Sequence, residues 1–139
     1  MSAITSSQYF YGHLDPPQEV QDACEGLLDK VNSLLADPSC PDPDPGVRSG
    51  WRPADYNATV KNAAPNSNHI TGHAVDLNDN DAALDNWLDE YEAKDPTTGK
   101  SRNEMLEKYG LYREHPLATK SWCHLQDVSP KSGNRTYYP

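Results

Sequence analysis

Apolar residues recur at helical spacing in the first quarter of the chain and predict its longest helix, over residues 15–36. The residues that share this face are Val20, Cys24, Leu27, Leu28, Val31 and Leu35. Their spacing of three and four is that of a helix with one buried side. Asp15 fits the N-cap position and Pro16 fits the first turn. Residues 38–46 follow with four prolines, which exclude a regular element and predict a stiff connection within one domain.

Two further stretches predict shorter helices. Over residues 81–93 the apolar stripe consists of Leu84, Trp87, Leu88 and Tyr91. Ser101 and Glu104 form the pattern of a capping box, and Gly110 marks the end of the helix that this box begins. Pro53 starts a helical turn that reaches about residue 61, and the polar residues 62–68 are predicted to form a loop.

A period of two in the remaining segments predicts strands. Residues 74–78 place Val75 and Leu77 on one face and Ala74 and Asp76 on the other. The other predicted strands cover residues 47–52, 111–114 and 121–126. We therefore expect one α+β domain over residues 1–139. In this domain about three helices pack against one face, or at the ends, of a small antiparallel sheet that carries a metal site on its other face.

Composition excludes several classes of function. Acidic residues outnumber basic ones by 21 to 12, and no stripe of Lys and Arg could neutralise a phosphate backbone, so we expect no nucleic-acid partner. No stretch approaches the roughly 20 apolar residues of a membrane span, and the first residues lack the basic start and apolar run of a secretion signal. The chain is expected to be made in the cytoplasm without a signal peptide and to have no membrane partner. Three cysteines at wide spacings predict free thiols.

Residues able to bind a metal occur at three places on these elements. His69 follows the polar loop, Asp76 lies on the less apolar face of its strand, and His124 shares a strand face with Trp122 and Gln126. A buried carboxylate without a partner is costly, so a cation beside Asp76 is expected. Imidazole and carboxylate are zinc ligands, and a catalytic zinc ion usually keeps three protein ligands and a water. The two histidines and Asp76 meet that count for one zinc ion per chain.

The segment from Ser67 to Asp76, SNHITGHAVD, resembles the SxHxxGxAxD motif of the family M15 zinc metallopeptidases. This group contains D-Ala-D-Ala carboxypeptidases and dipeptidases and shares its metal site with hedgehog signalling domains. The segment SGWRP at residues 49–53 is similar to the SGxRP segment of the family, and WCHLQ at residues 122–126 is similar to its WxH strand. The resemblance covers residues 49–126, and the compact form is similar to those encoded by bacteriophages.

Position by position, the resemblance implies that His69, Asp76 and His124 are the zinc ligands. It also implies that Arg52 binds a substrate carboxylate or the anionic intermediate, and that Ser67 contacts the substrate. The planar guanidinium of Arg offers a bidentate fork for a carboxylate, which agrees with that role. For Ser67 the alternative is to cap a helix or turn.

The general base departs from the pattern of the family. The dipeptidase branch carries an acidic residue three positions before its last His, and Ser121 occupies that position here, where it cannot take a proton at neutral pH. We predict Glu114 as the base, because it ends the strand beside the one that carries His124. Hedgehog domains similarly carry a Glu upstream of their last ligand, and His115 is the second candidate. Trp122 either forms a wall of the substrate pocket or packs.

These residues predict a zinc-dependent carboxypeptidase or endopeptidase. Its expected substrate is a stem or cross-link peptide of bacterial peptidoglycan, cut next to a D-amino acid, and the chain is expected to be a monomer. It would reach the cell wall at lysis, as an endolysin, or as part of a virion. The alternative is a non-catalytic zinc-binding domain, for example a structural or binding module of a bacteriophage. A fourth protein ligand on the metal would favour that alternative, because structural zinc sites are closed.

Overall fold

A computed structural model describes residues 3–61 and 63–139; Met1, Ser2 and Asn62 lie outside the described residues, and Asn62 belongs to the predicted loop at 62–68. The elements in chain order are α1 (Ser6–Tyr9), α2 (Gln18–Leu35), β1 (Val47–Ser49), α3 (Ala54–Asn57), α4 (Asn68–Thr71), β2 (Ala74–Asn78), α5 (Ala83–Asp89), β3 (Glu92–Lys94), β4 (Ser101–Asn103), α6 (Glu104–Tyr109), β5 (Tyr112–Glu114), β6 (Trp122–Gln126) and β7 (Thr136–Tyr137). This is a mixed α+β architecture.

Five strands form the main sheet in the order β1-β2-β6-β5-β7, and β3 and β4 form a separate hairpin. The pairs β1–β2, β2–β6 and β5–β6 are antiparallel, as expected. The short β7 pairs with β5 in parallel, which no pattern in the sequence indicates. A parallel pair needs a connection that crosses back along the sheet, and the chain makes it here with β6 and residues 127–135.

The core lies on one face of this sheet. Val75 and Leu77 of β2 and Cys123 and Leu125 of β6 are buried in one cluster with the apolar sides of α2, α5 and α6. Strict alternation sends the intervening residues of both strands to the other face. The predicted strands at 74–78 and 121–126 and their inward-facing residues are therefore confirmed.

The described part of the chain contains six helices, rather than about three. Three of them, α1, α3 and α4, have four residues each, which is too few for a helical stripe of apolar residues to show in the sequence. The long helix begins at Gln18 instead of residue 15, with Pro17 as its N-cap residue. Asp15 has φ of 57° and is not the cap, because Pro17 follows Pro16 and disfavours helical geometry at Pro16, so the helix cannot begin there.

The predicted helix at 81–93 and the predicted capping box are both corrected. The helix ends at Asp89, and the chain turns into β3, which pairs with β4. Ser101 lies in β4, and the N-cap of α6 is Asn103, whose side chain accepts a hydrogen bond from the Leu106 amide. Gly110 ends α6 with φ of 72°, as predicted.

Strand β5 is fixed to α5 by a buried guanidinium that no pattern in the sequence indicates. The side chain of Arg113 is 1% exposed, and it donates hydrogen bonds to Asp85, Asp89 and Thr136. Breaking such a buried pair leaves an uncompensated charge and is strongly destabilising. Because adjacent residues of a strand face opposite sides, this contact turns Glu114 toward the other face of the sheet.

Two expectations from composition also have an outcome. Cys24, Cys40 and Cys123 are free thiols, as predicted. Across residues 3–61 and 63–139, no helix combines the length and the apolar character that crossing a membrane requires.

The close approach of α4 to α2 predicts opposite effects of two glycine substitutions. Gly72 has φ of 86°, and a Cβ there would lie 2.8 Å from the Val20 carbonyl oxygen, whereas Gly26 lies in α2 with open space around it. We expect Gly72→Ala to lower the free energy of unfolding by at least about 2 kcal/mol, and Gly26→Ala to raise it by up to about 1 kcal/mol. Urea denaturation measures both, and equal effects would contradict the argument.

Candidate metal centre

Three side chains from three elements meet on the face of the sheet opposite the core. His69 comes from α4, Asp76 from β2 and His124 from β6, and all are buried. His69 Nε2 lies 3.3 Å from Asp76 Oδ2, and His124 Nδ1 lies 2.8 Å from Asp76 Oδ1. One ligand atom from each residue can be chosen so that all lie within 4.8 Å of one another. The three predicted ligands are therefore together, and the group could hold a metal ion.

The backbone explains why these side chains meet. Asp76 and His124 are directly opposite each other in the antiparallel pair of β2 and β6, where side chains on one face are neighbours. His69 follows the predicted loop and lies in a one-turn helix, which no pattern in the sequence indicated. Ser67 caps that helix by accepting a hydrogen bond from the His69 amide at 3.2 Å, and the His69 carbonyl accepts one from the Arg52 amide at 3.1 Å.

The tautomer of His69 is set by a backbone carbonyl. Its Nδ1 lies 2.8 Å from the Gly50 oxygen, which can only accept a hydrogen bond. Nδ1 therefore carries the proton, and the lone pair of the neutral ring is on Nε2, the atom that faces Asp76. A carbonyl partner of this kind is usual for histidines that bind metals.

In His124 the other ring nitrogen, Nε2, is bonded to the outer partner. Its Nε2 lies 2.7 Å from Gln126 Oε1, and the amide of Gln126 is oriented by donating through Nε2 to the Val128 carbonyl at 2.7 Å. The Tyr137 hydroxyl donates to the same Gln126 oxygen. Nε2 of His124 is thus the donor, and Nδ1 is directed at Asp76. The sequence placed Gln126 on this face without a role, and it carried no signal for Tyr137.

The electrostatics of the centre favour a cation between the three residues. Burial raises the pKa of Asp76, but the charge of His69 and the hydrogen bond from His124 outweigh it and leave that pKa well below its usual range. Burial lowers the pKa of His124, but the hydrogen bond and charge of Asp76 outweigh it, so that pKa is raised. Without a metal, a proton between Asp76 and His124 supplies the positive charge. Two imidazoles and one carboxylate suit a divalent transition metal.

The two candidate bases are placed differently. Glu114 Oε2 lies 3.9 Å from His124 Nδ1, and its side chain is partly exposed beside the centre. Glu114 is nevertheless outside the group whose ligand atoms all lie within 4.8 Å. The ring of His115 stacks on Tyr138, and its Nδ1 accepts a hydrogen bond from the Leu117 amide in the following turn.

Arg52 is bound to residues of the centre itself. Its Nη2 donates to Asp76 Oδ2 at 3.1 Å, and its Nε donates to Ser49 Oγ at 2.9 Å. The side chain is only 12% exposed, so its charge is fixed beside the metal group. Trp122 is half-buried on the same face of β6 as His124, and the guanidinium of Arg48 lies 4.8 Å from the centre of its ring.

Comparisons of the chain with protein-family models, with curated proteins and with solved structures give no match. The resemblance to family M15 accordingly rests on the residues of this chain. Three segments carry it, at 49–53, 67–76 and 122–126, and all three contribute side chains to the same centre.

The raised pKa of His124 predicts a proton-linked affinity for metal. Below that pKa the imidazole is protonated, and a metal ion must displace the proton from Nδ1, so the affinity rises as pH rises. Between pH 6 and pH 7.5 we expect the apparent affinity for Zn²⁺ to increase up to about tenfold per pH unit. Calorimetry in buffers of different ionisation enthalpy measures the released proton. An affinity independent of pH in this range, with no proton release, would contradict this role of His124.

The contact between Gln126 and His124 predicts an effect on metal affinity from outside the ligand set. Replacing Gln126 by Leu removes the acceptor that orients the imidazole, and we expect Zn²⁺ to bind about 10- to 100-fold more weakly. The control is Gln21→Leu, on the exposed side of α2, which should leave the affinity unchanged. Competition against a chromophoric chelator measures both variants. Equal affinities would show that His124 needs no such partner.

Proposed function

We propose that this chain is a zinc-dependent peptidase of the family M15 type that hydrolyses peptides of bacterial peptidoglycan. The observation that carries the proposal is the geometry of the metal group. His69, Asp76 and His124 are buried together, and one ring nitrogen of each histidine is bonded to another partner, so that the other nitrogen faces Asp76.

The number of ligands supports a catalytic role over a structural one. Among residues 3–61 and 63–139, the one metal-binding group of His, Cys, Asp and Glu has three members. Structural zinc sites are closed by four protein ligands, whereas catalytic sites keep a position open for water or substrate. A zinc ion held by these three residues supplies Lewis acidity, which activates water and polarises a peptide carbonyl.

Glu114 is the proposed general base. Its carboxylate oxygen Oε2 lies 3.9 Å from His124 Nδ1, and the side chain is partly exposed to water. It would take a proton from the attacking water and return that proton to the leaving amine. Arg113, bonded to Asp85 and Asp89 of α5, holds the strand that carries Glu114. Because the strand is fixed, less conformational entropy is lost when Glu114 adopts the geometry that the reaction requires.

Arg52 is the proposed electrostatic partner. Its guanidinium is held by Asp76 and Ser49 at one side of the metal group and adds a fixed positive charge there. A charge placed before the reaction begins stabilises the anion that develops on the substrate carbonyl. The substrate class comes from the resemblance of the segments at 49–53, 67–76 and 122–126, and their convergence on one centre supports it.

The second candidate is a non-catalytic zinc-binding domain, and one contact favours it. Ser121, in the place where the dipeptidase branch carries its acid, is bonded through Oγ to Arg48 Nη1 at 2.6 Å. It offers no proton acceptor for catalysis at neutral pH. If Glu114 does not act as the base, the centre has a metal site without a general base to deprotonate the water.

The decisive experiment is release of amino groups from purified peptidoglycan by zinc-loaded protein. We expect wild type to cleave, His124→Ala to bind zinc poorly and lose cleavage, and Glu114→Gln to bind zinc while losing on the order of 10²- to 10⁴-fold in rate. Glu90→Gln is the matched control, because Glu90 is exposed at the end of α5. It should cleave at the rate of wild type.

Three results of this assay separate the candidates. Activity retained by Glu114→Gln and lost by His124→Ala would keep the zinc peptidase and reject Glu114 as the base. Tight zinc binding by wild type with no cleavage of any peptidoglycan would reject the peptidase and favour the non-catalytic domain. Activity that survives removal of zinc by a chelator would reject the metal mechanism.

A further inference from the structure

Strand β1 contains an irregularity beside the metal group. Its pairing with β2 matches Val47 to Leu77 and Ser49 to Asp76, so that two steps along β1 correspond to one step along β2. Arg48 is therefore the extra residue of a β-bulge. A bulge interrupts strict alternation and re-aims a side chain, and bulges occur preferentially next to active sites.

The bulge brings two consecutive side chains of β1 to the face that carries the metal group. Ser49 Oγ accepts the hydrogen bond from Arg52 Nε, which links it to Asp76. Arg48 reaches the same face further along β6, where its guanidinium lies over the ring of Trp122. Without the bulge, Arg48 and Ser49 would point to opposite sides of the sheet.

Arg48 is held in place, yet it remains accessible. Its Nη1 donates to Ser121 Oγ at 2.6 Å, and the aromatic face of Trp122 supports the plane of the guanidinium. Within the described residues, its Nε and Nη2 have no hydrogen-bond acceptor, and the residue is exposed. Arg52, in contrast, is 12% exposed and is bonded to Asp76 and Ser49.

The distance to the metal group is short on the scale of a peptide. Trp122 precedes His124 by two residues on one face of β6, which corresponds to about 7 Å along the strand. An extended substrate spans about the same distance with two residues. A group bound by Arg48 would therefore lie one or two residues from the bond that is cut.

We propose that Arg48, stacked on Trp122 and held by Ser121, binds a carboxylate of the substrate one or two residues from the cleaved bond. This inference rests on the proposed function. Two free N–H groups of one guanidinium form a fork that matches the two oxygens of a carboxylate. The chain carries a net charge of -9, and Arg52 is already bonded to Asp76 and Ser49, so an anionic substrate needs a further cation that is accessible.

The carboxylate can come from two sources. One is the C-terminus of the peptide, and the other is an acidic side chain within it. Three synthetic tripeptides separate them: one ending in D-Ala-D-Ala with a free carboxylate, its C-terminal amide, and an amide in which the first residue is glutamate. The amide without an acidic side chain is the neutral reference.

Binding of these peptides is measured by calorimetry on zinc-loaded Glu114→Gln, in which we expect hydrolysis to be slow, and kcat/KM is measured on the protein with Glu114 intact. We expect one of the two carboxylate peptides to be preferred over the neutral amide by at least tenfold in both measurements. Adding Arg48→Gln should reduce that preference to within about twofold. Arg48→Lys should retain part of it, because the ammonium keeps the charge and loses the fork.

The matched control is Arg102→Gln, which also removes one positive charge. Arg102 lies in the separate β3–β4 hairpin and pairs with Glu107, so the preference should be that of the parent protein. Zinc affinity measured on every variant verifies that the centre is intact. A partial effect of Arg48→Lys with normal zinc binding further excludes simple loss of folding.

The outcomes distinguish this inference from the proposed function. Equal binding of all three peptides, no binding of any, or a preference that Arg48→Gln retains would overturn the role of Arg48, even if peptidoglycan is cleaved. A preference that depends on Arg48 with no hydrolysis of any substrate would reject the peptidase and leave Arg48 as a carboxylate-binding residue.

Discussion

The pairing of β2 with β6 is the contact on which the rest of the structure depends. It places Asp76 opposite His124 on one face, and on the other face it buries Val75 and Leu77 against the apolar sides of the helices. A slip of one residue would exchange the two faces of the slipped strand and drive a charged or polar side chain into the core. The hydrophobic core therefore enforces the geometry of the metal group, and the two cannot vary independently.

Around Asp76 the structure offsets the cost of a buried carboxylate with several weak contributions. Arg52 and the protonated form of His124 direct N–H groups at its two oxygens, and Nε2 of His69 lies 3.3 Å from Oδ2. A buried charge without such partners would be neutralised by a shift in its pKa or would destabilise the fold. The carbonyl of Gly50 and the amide of Gln126 do not contact Asp76. They bond to His69 and His124 and so set which ring nitrogen of each histidine faces the carboxylate.

The strands β1 and β5, which flank this pair, each place charged side chains on the face of the sheet that carries the metal group. In β5 the buried Arg113 binds the acidic residues of α5, while its neighbour Glu114 faces the metal group. In β1 the bulge at Arg48 brings two successive side chains to one face. The buried Arg113 orients Glu114, and the bulge orients Arg48. Neither strand contributes a metal ligand, and both arrangements depend on contacts between residues far apart in the chain.

The sequence by itself determined the face of the long helix, the two central strands, their inward-facing residues, and the three residues that meet at the metal group. These features follow from periodicity and local motifs, which act over a few residues. Only the tertiary structure decided the one-turn helix that carries His69, the β3–β4 hairpin, the parallel β7, the contact of Gln126 with His124, and the hydrogen bond from Tyr137 to Gln126. Short elements leave too few positions for a period to show, and the orientation of a side chain by a distant partner is fixed only when the chain has folded and excluded water.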